Sequence, residues 1–467
     1  MAIKNDLAHA LAEHVAGAKY EDLPPSVIET TKTSILDTLG VMLAASTAGQ
    51  GCKETVDLVK DAAGKQESTI MGFGGKVPCM MAAFANGSLA HAIDYDDVLE
   101  NAQLHPSAAT IPAAMAIAER AGRVDGRQFI TAVAMGIDVI SRMGLSITQG
   151  PLGPGSLWNM TPTFSVFAAS AACGRLLGLD SNGILNAFGI ALHQAAGTVE
   201  IGYSVNATVR GLYNSFPARA GVTSALMAYK GIVGTRNVFE GKAGLFNVYF
   251  NGKYDPSQIT ADLGKKFPGS DVSFKAWPAC RTTHQYIDGT LSLVREHDIR
   301  PEDIEVMTPV AHVRSRRLCE PLEERQNPET IMDAKFSIPF TMALAVLRRN
   351  VVIGDFTLQG LKDPAVLQLA QKVTPKLGDV SSKPGVVIPP ATIVIKTKDG
   401  KEYSTQVGVA YGDPQKPLPR DVIIQKFRDC ASYSARPLSP EQVERAIRMV
   451  SSLEEVEDVA KIVQVLS

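Results

Sequence analysis

Apolar positions recur every three to four residues over most of the first half of the chain. Leu7, Leu11 and Val15 share one face of a helix predicted over 7–18. Val27, Ile28, Ile35, Leu36, Leu39 and Leu43 give the same period over 25–47, behind a Pro24-Pro25 start. Residues 107–121, 127–148, 161–177 and 181–196 are rich in Ala, Ile, Met and Leu and read as further helices. Gly178 is placed to end one of them, and Asp180 or Ser181 to cap the next. The run Gly72-Phe73-Gly74-Gly75 lacks the spacing of a nucleotide loop and reads as a turn before a helix at 79–91. Residues 149–162 are punctuated by Pro and Gly and predict a long loop, a type of segment that is often functional.

The pattern changes near residue 266. Residues 303–314 alternate as a strand does, and 284–297 and 333–348 read as helices. Residues 391–410 read as strand, Asp399-Gly400 turn, strand. Helical spacing returns over 418–467, where Ser439 precedes Pro440-Glu441 as a cap. The expected fold is mainly α: a large all-α helical domain over 1–265 plus 411–467, with a smaller α+β domain over 266–410 inserted into it. A chain of 467 residues suits two domains.

Composition narrows the function. A net charge of −2 and 6% aromatics provide neither a basic field nor stacking platforms, so nucleic acid is not an expected partner. No run of 18 or more uncharged apolar residues is seen, so no membrane span is expected. The amphipathic start lacks the apolar stretch of a signal peptide, and the scattered cysteines, with no C-x-x-C, read as reduced thiols. Together these predict a cytoplasmic protein.

The densest chemistry lies at 90–108, which holds His91, Asp94, Asp96, Asp97, Glu100 and His105 before Pro106 opens a helix. Three Asp so close together can supply oxygen ligands to a cation, or can simply cap turns. His105 falls at a helix start, beside free amides and the positive dipole end, where carboxylates bind and an imidazole can move protons. In FKAWPACRTTH, residues 274–284, Lys275, Cys280, Arg281 and His284 surround a proline turn. They read either as cationic and nucleophilic groups lining a cleft or as a buried thiol and a capping histidine. Arg210, Tyr213 and Arg219 cluster near a helix start, as carboxylate binders or as a solvated face. His193, inside an apolar run, reads as a core histidine. No G-x-S-x-G or H-E-x-x-H is present, which leaves serine hydrolases and zinc proteases without support.

Several of these stretches together resemble the MmgE/PrpD superfamily: ANGSLAHAIDYDD, HPSAATIPAAMAIAE, AASAACGRLLGLD, Arg219-Ala220-Gly221, WPACRTTHQYID and MDAKFSIPFTMALAVL. The likeness runs through nearly the whole chain, in order. It implies a helical domain with an α+β lid, a homodimer, an interdomain active site, no cofactor and no metal. Its members include 2-methylcitrate dehydratase, cis-aconitate decarboxylase and iminodisuccinate epimerase, all acting on small polycarboxylic acids. By this resemblance Asp94 and His105 are catalytic, with Cys280 or Lys275 serving the opposite face of the substrate. Arg210, Asn159, Tyr213, Arg281 and His284 are expected to bind it.

The chain also departs from the dehydratase and decarboxylase pattern. Val98 stands where a Thr is common, Asn159 and Cys280 replace His, Arg210 replaces Lys, Tyr213 replaces His, and Phe340 replaces Tyr. One extra residue separates Asp94 from His105. Asn159 and Arg210 still bind carboxylate but cannot donate a proton near neutral pH. The expectation is therefore a cofactor-free epimerase of the iminodisuccinate type. The alternatives are a dehydratase or decarboxylase, or an inactive member acting as a binding protein.

Overall fold

The computed structural model describes residues 6–148, 157–204, 207–312, 315–378 and 389–467. The chain forms two compact units, Met1–Val272 with Pro419–Ser467, and Ser273–Leu418. The protein is mainly α. Both changeovers fall a few residues later than 265 and 410, for local reasons. Residues 268–271 make a turn against the Gly126–Leu145 helix, where a Cβ on Gly269 would lie 2.4 Å from Ile137. At the other changeover, Gly412 accepts a backbone bond from Phe274 and keeps its segment with the second unit.

In the first unit, the Met160–Leu176 helix packs against Ser107–Ala121, Gly126–Leu145, Ser181–Ala191 and Ser215–Tyr229. Pro24 precedes the Pro25–Ala48 helix, as the sequence predicts, and Asp180 caps Ser181–Ala191 through the Gly183 amide. That last helix stops earlier than residue 196. It passes into a 3-10 turn that leaves His193 exposed, bonded to Thr235 at 3.2 Å, so His193 is not a core residue. The Gly126–Leu145 helix is long and apolar enough by length and composition to cross a membrane, although Arg127, Asp138 and Arg142 keep it from being an uncharged apolar run. It is 89% buried over its most apolar window, and inside the unit its Asp138 pairs with Arg142 and His14. Such a helix is hydrophobic nearly all round because it serves as core.

The second unit is built on a four-stranded sheet. Lys376–Leu377 pairs parallel with Ile304–Ala311, which pairs antiparallel with Ala391–Thr397, which pairs antiparallel with Glu402–Val407. Gly400, at φ +86°, makes the predicted hairpin turn. Ala391, Ile393, Ile395 and Thr397 alternate inward under the His284–Glu296 helix, following the two-residue period of a half-buried strand. The helix expected over 333–348 is interrupted: Ser337 caps a new start through the Phe340 amide, ahead of Pro339.

Candidate active site

The segment from Ala90 to Pro106 joins the Cys79–Leu89 and Ser107–Ala121 helices and is almost entirely buried. Two glycines bring the chain over residues 209–229 close to it. A Cβ on Gly87 would lie 2.8 Å from the Asn214 carbonyl, and one on Gly211 3.2 Å from the Ala92 carbonyl. Asp94 occupies the left-handed region at φ +52°, a conformation that Asp tolerates better than most residues. Leu99 and Leu104 close the remaining loop through a β-bridge, with Gln103 also left-handed. This loop lies within the stretch that carries the extra residue.

The turn at Asp94 sends the three aspartates to different partners. Asp96 is fully buried between two imidazoles, 3.0 Å from His91 Nδ1 and 2.9 Å from His105 Nδ1. Burial opposes its charge, yet His91 and His105 hold the carboxyl well below the usual carboxylate range. His105 Nδ1 also lies 2.9 Å from the Asp97 carbonyl. With acceptors on both sides, Nδ1 carries the proton, and Nε2 is left as the basic nitrogen. The His105 side chain is 17% exposed, against 8% for His91. His105 is thus the better placed of the two to meet a substrate.

Asp97 turns the other way. It accepts a 2.5 Å bond from the Ser107 hydroxyl, a longer 3.4 Å bond from the Ser107 amide, and a 3.0 Å bond from Ser34. The helix start behind Pro106, expected to hold a substrate carboxylate, is therefore capped by the chain's own carboxyl. Burial, together with the charges of Asp37 and Asp96, pushes the Asp97 carboxyl up to about 7, against the serine bonds.

Tyr213 stacks at a tilt on His91, with ring centroids 4.7 Å apart, and His91 meets His105 edge-on at 4.6 Å. Burial and the charges of Asp96 and Asp94 raise the Tyr213 hydroxyl well above its ordinary value. A hydrogen bond with Thr161 and the charge of Arg210 only partly offset this. Thr161 also accepts the His105 amide at 3.2 Å, so its hydroxyl links the two groups. Arg210 is half-buried one turn before Tyr213. Asn159 caps the Met160–Leu176 helix by accepting the Thr161 amide at 3.2 Å. Residues 149–156 of the expected functional loop lie outside the described residues.

His91, Asp96 and His105 offer ligand atoms within 4.8 Å of one another. Their 2.9–3.0 Å contacts are those of N–H donors on a carboxylate, and Asp94 and Asp97 are not part of the group. A cation there would have to displace the Nδ1 protons.

In the second unit, Lys275 is fully buried and Cys280 is 9% exposed. The Cys280 amide donates to the Lys335 carbonyl, and its own carbonyl accepts from Thr283. Arg281 donates to the carbonyls of Tyr411 at 2.8 Å and Ala410 at 3.3 Å and lies 3.3 Å from His284 Nδ1. His284 Nε2 faces the Ala279 carbonyl at 3.3 Å, beside Trp277. Phe340 is buried in the core of this unit.

The structure thus brings His105, Tyr213, Arg210 and Asp94 into one neighbourhood in the first unit. It adds three groups that the sequence reading left aside or assigned to shaping the loop: Asp96, His91 and Thr161. The five-residue spacing from His91 to Asp96 was visible in the sequence, but not which aspartate faces the histidines.

The MmgE/PrpD N-terminal domain matches residues 9–257 and the MmgE/PrpD C-terminal domain residues 277–455. The cis-aconitate decarboxylase-like protein oryM of Aspergillus oryzae is 27% identical over 98% of this chain and 96% of its own length. The cis-aconitate decarboxylase of Homo sapiens is 27% identical over 97% of this chain and 92% of its own. That of Aspergillus terreus is 24% identical over 99% and 96%. With the family's domains matched across most of its length, this chain belongs to the MmgE/PrpD family.

Proposed function

We propose that this protein is a lyase that transfers a proton at the carbon next to a carboxylate of a small polycarboxylic acid, in the manner of a cis-aconitate decarboxylase. The observation that carries the reading is His105 held on the buried Asp96, with the Tyr213 ring stacked on the neighbouring His91. Loss of CO₂ breaks one carbon–carbon bond and leaves its electron pair on the substrate. A carbon–hydrogen bond then forms with a proton from the enzyme, which water replaces. Tyr213 or protonated His105 can supply that proton, and Arg210 is suited to hold a remaining carboxylate. Cys280 and Lys275 are proposed as further acid–base groups, and Arg281 and His284 as substrate-binding groups. We further propose a homodimer, supported by the exposed Phe216 and Tyr229 on one helix of the first unit.

A second reading, an epimerase of the iminodisuccinate type, is favoured by one observation. Asn159 serves as a helix cap where the decarboxylase pattern has a proton donor. Incubation in D₂O separates the two. The lyase reading expects CO₂ from cis-aconitate and one deuterium in the product. Inversion with deuterium uptake from one enantiomer of iminodisuccinate, without CO₂ release from cis-aconitate, overturns it in favour of the epimerase. Inertness to both acids and to 2-methylcitrate, with ligand binding unchanged in His105→Ala, would indicate a binding protein.

A further inference from the structure

Behind the acidic loop lies a charged cluster that this chemistry does not use. Lys426, on the Arg420–Ser432 helix, is buried against Asp37 of the Pro25–Ala48 helix. The two charged groups are 2.7 Å apart, and the side chains are 5% and 0% exposed. The same ammonium donates a 2.8 Å hydrogen bond to the Tyr95 carbonyl and lies 3.7 Å from the centroid of the Tyr95 ring. Asp37 in turn acts on the loop, since its charge is one cause of the raised Asp97 carboxyl.

A buried ion pair is weak evidence of stabilisation. Taking an ammonium and a carboxylate out of water is costly, and an apolar pair of similar volume commonly holds two helices together as well or better. What an apolar pair cannot do is fix the direction of a peptide group. The Tyr95 carbonyl belongs to the peptide that enters Asp96, and Asp94 just before it is in the left-handed conformation. Rotating that peptide would swing the Asp96 carboxylate away from the two imidazoles it holds.

We propose that Lys426, charge-balanced by Asp37, is a positioning residue: by gripping the Tyr95 carbonyl it aims Asp96 at His105. The inference rests on His105 as the proton-transferring group, but it is testable without substrate. Protons on His91 Nδ1 and His105 Nδ1 that are bonded to a buried carboxylate resonate far downfield in ¹H NMR. His91→Gln and His105→Gln variants assign them. The double variant Lys426→Met/Asp37→Leu removes both charges and leaves no uncompensated ion. Lys426→Met/Asp37→Asn is a second pair, again without a donor at position 426, should the first not fold.

In a folded double variant, the His105 resonance is expected to shift or vanish. Turnover should fall roughly 10- to 100-fold with KM nearly unchanged, the effect of a misaimed group remote from the substrate. A folded double variant with the downfield signals of the parent protein overturns the proposal, whatever its activity. A lost signal in the variant, with a parent protein that turns over none of the three acids, supports the positioning role and overturns the chemical reading instead.

Discussion

The carboxylate of Asp96 lies 2.9 Å from Nδ1 of His105, on a side chain with no exposure of its own. A buried acceptor at this distance fixes both the tautomer and the ring plane of the imidazole, and it stabilises the imidazolium that forms when Nε2 takes a proton. Replacing Asp96 with Asn should preserve the shape and remove the charge. Turnover is expected to fall by about 10²- to 10⁴-fold, as when a comparable Asp–His pair is neutralised. Steady-state kinetics should place the loss in kcat. A variant with parental kcat would show that Asp96 merely fills space.

Tyr213 carries its proton at neutral pH, and burial and two neighbouring carboxylates make that proton harder to release, so it can be passed only to a strong base such as a substrate carbanion. Tyr213→Phe keeps the ring against His91 and removes the proton. A general acid contributes about 10²- to 10⁴-fold, so a loss in that range is the expected result. Deuterium uptake into product from D₂O should fall in step with turnover. Uptake at the parental rate would assign protonation to another group.

Asp97 makes a prediction about stability. Its carboxyl is raised in the folded protein to about 7, chiefly by burial. The folded state therefore binds a proton that the unfolded chain, with an ordinary Asp, releases near pH 4. The resulting stabilisation is complete below about pH 4 and is lost as pH rises through about 7, at no more than about 1.4 kcal/mol per pH unit. Asp97→Asn cannot titrate. The stability difference between variant and parent, measured by urea unfolding, should move in the variant's favour from pH 4 to pH 7. A difference that stays flat across this window would mean that Asp97 ionises normally.

The trio His91, Asp96 and His105 invites a test with a chelator. If Asp96 holds two N–H groups, dialysis against EDTA leaves turnover unchanged, and added Zn²⁺ inhibits by displacing the Nδ1 protons. Loss of activity on chelation, restored by one divalent ion, would instead make the trio a metal site.

Much of the fold is legible from local signals. Pro24-Pro25, Asp180 and Ser439 open helices where they stand in the sequence, because a fixed φ or a capping oxygen acts within a few residues. Asp399-Gly400 sets its hairpin for the same reason. The roles of the three neighbouring aspartates could not be read in this way. Asp94, Asp96 and Asp97 are chemically identical, and only the left-handed turn at Asp94 decides that one faces histidines and another serines. Lys426 was equally invisible, because its partners lie hundreds of residues earlier in the chain. His193 misled because an apolar run looks the same whether its helix continues or tightens into a 3-10 turn.

The helices of Pro419–Ser467 close the first unit, although the whole of Ser273–Leu418 precedes them in the chain. The ribosome therefore delivers Lys426 after every other group of this cluster, 331 residues after the Tyr95 carbonyl it grips. At about 5–20 residues per second, the loop that carries Asp96 waits on the order of tens of seconds for its support. During that interval the growing chain already holds every residue of the His91–Asp96–His105 trio but not the cation that aims it. Assembly of a competent site is thereby tied to synthesis of the Arg420–Ser432 helix, and a nascent chain stalled within the second unit would carry the trio without its aim.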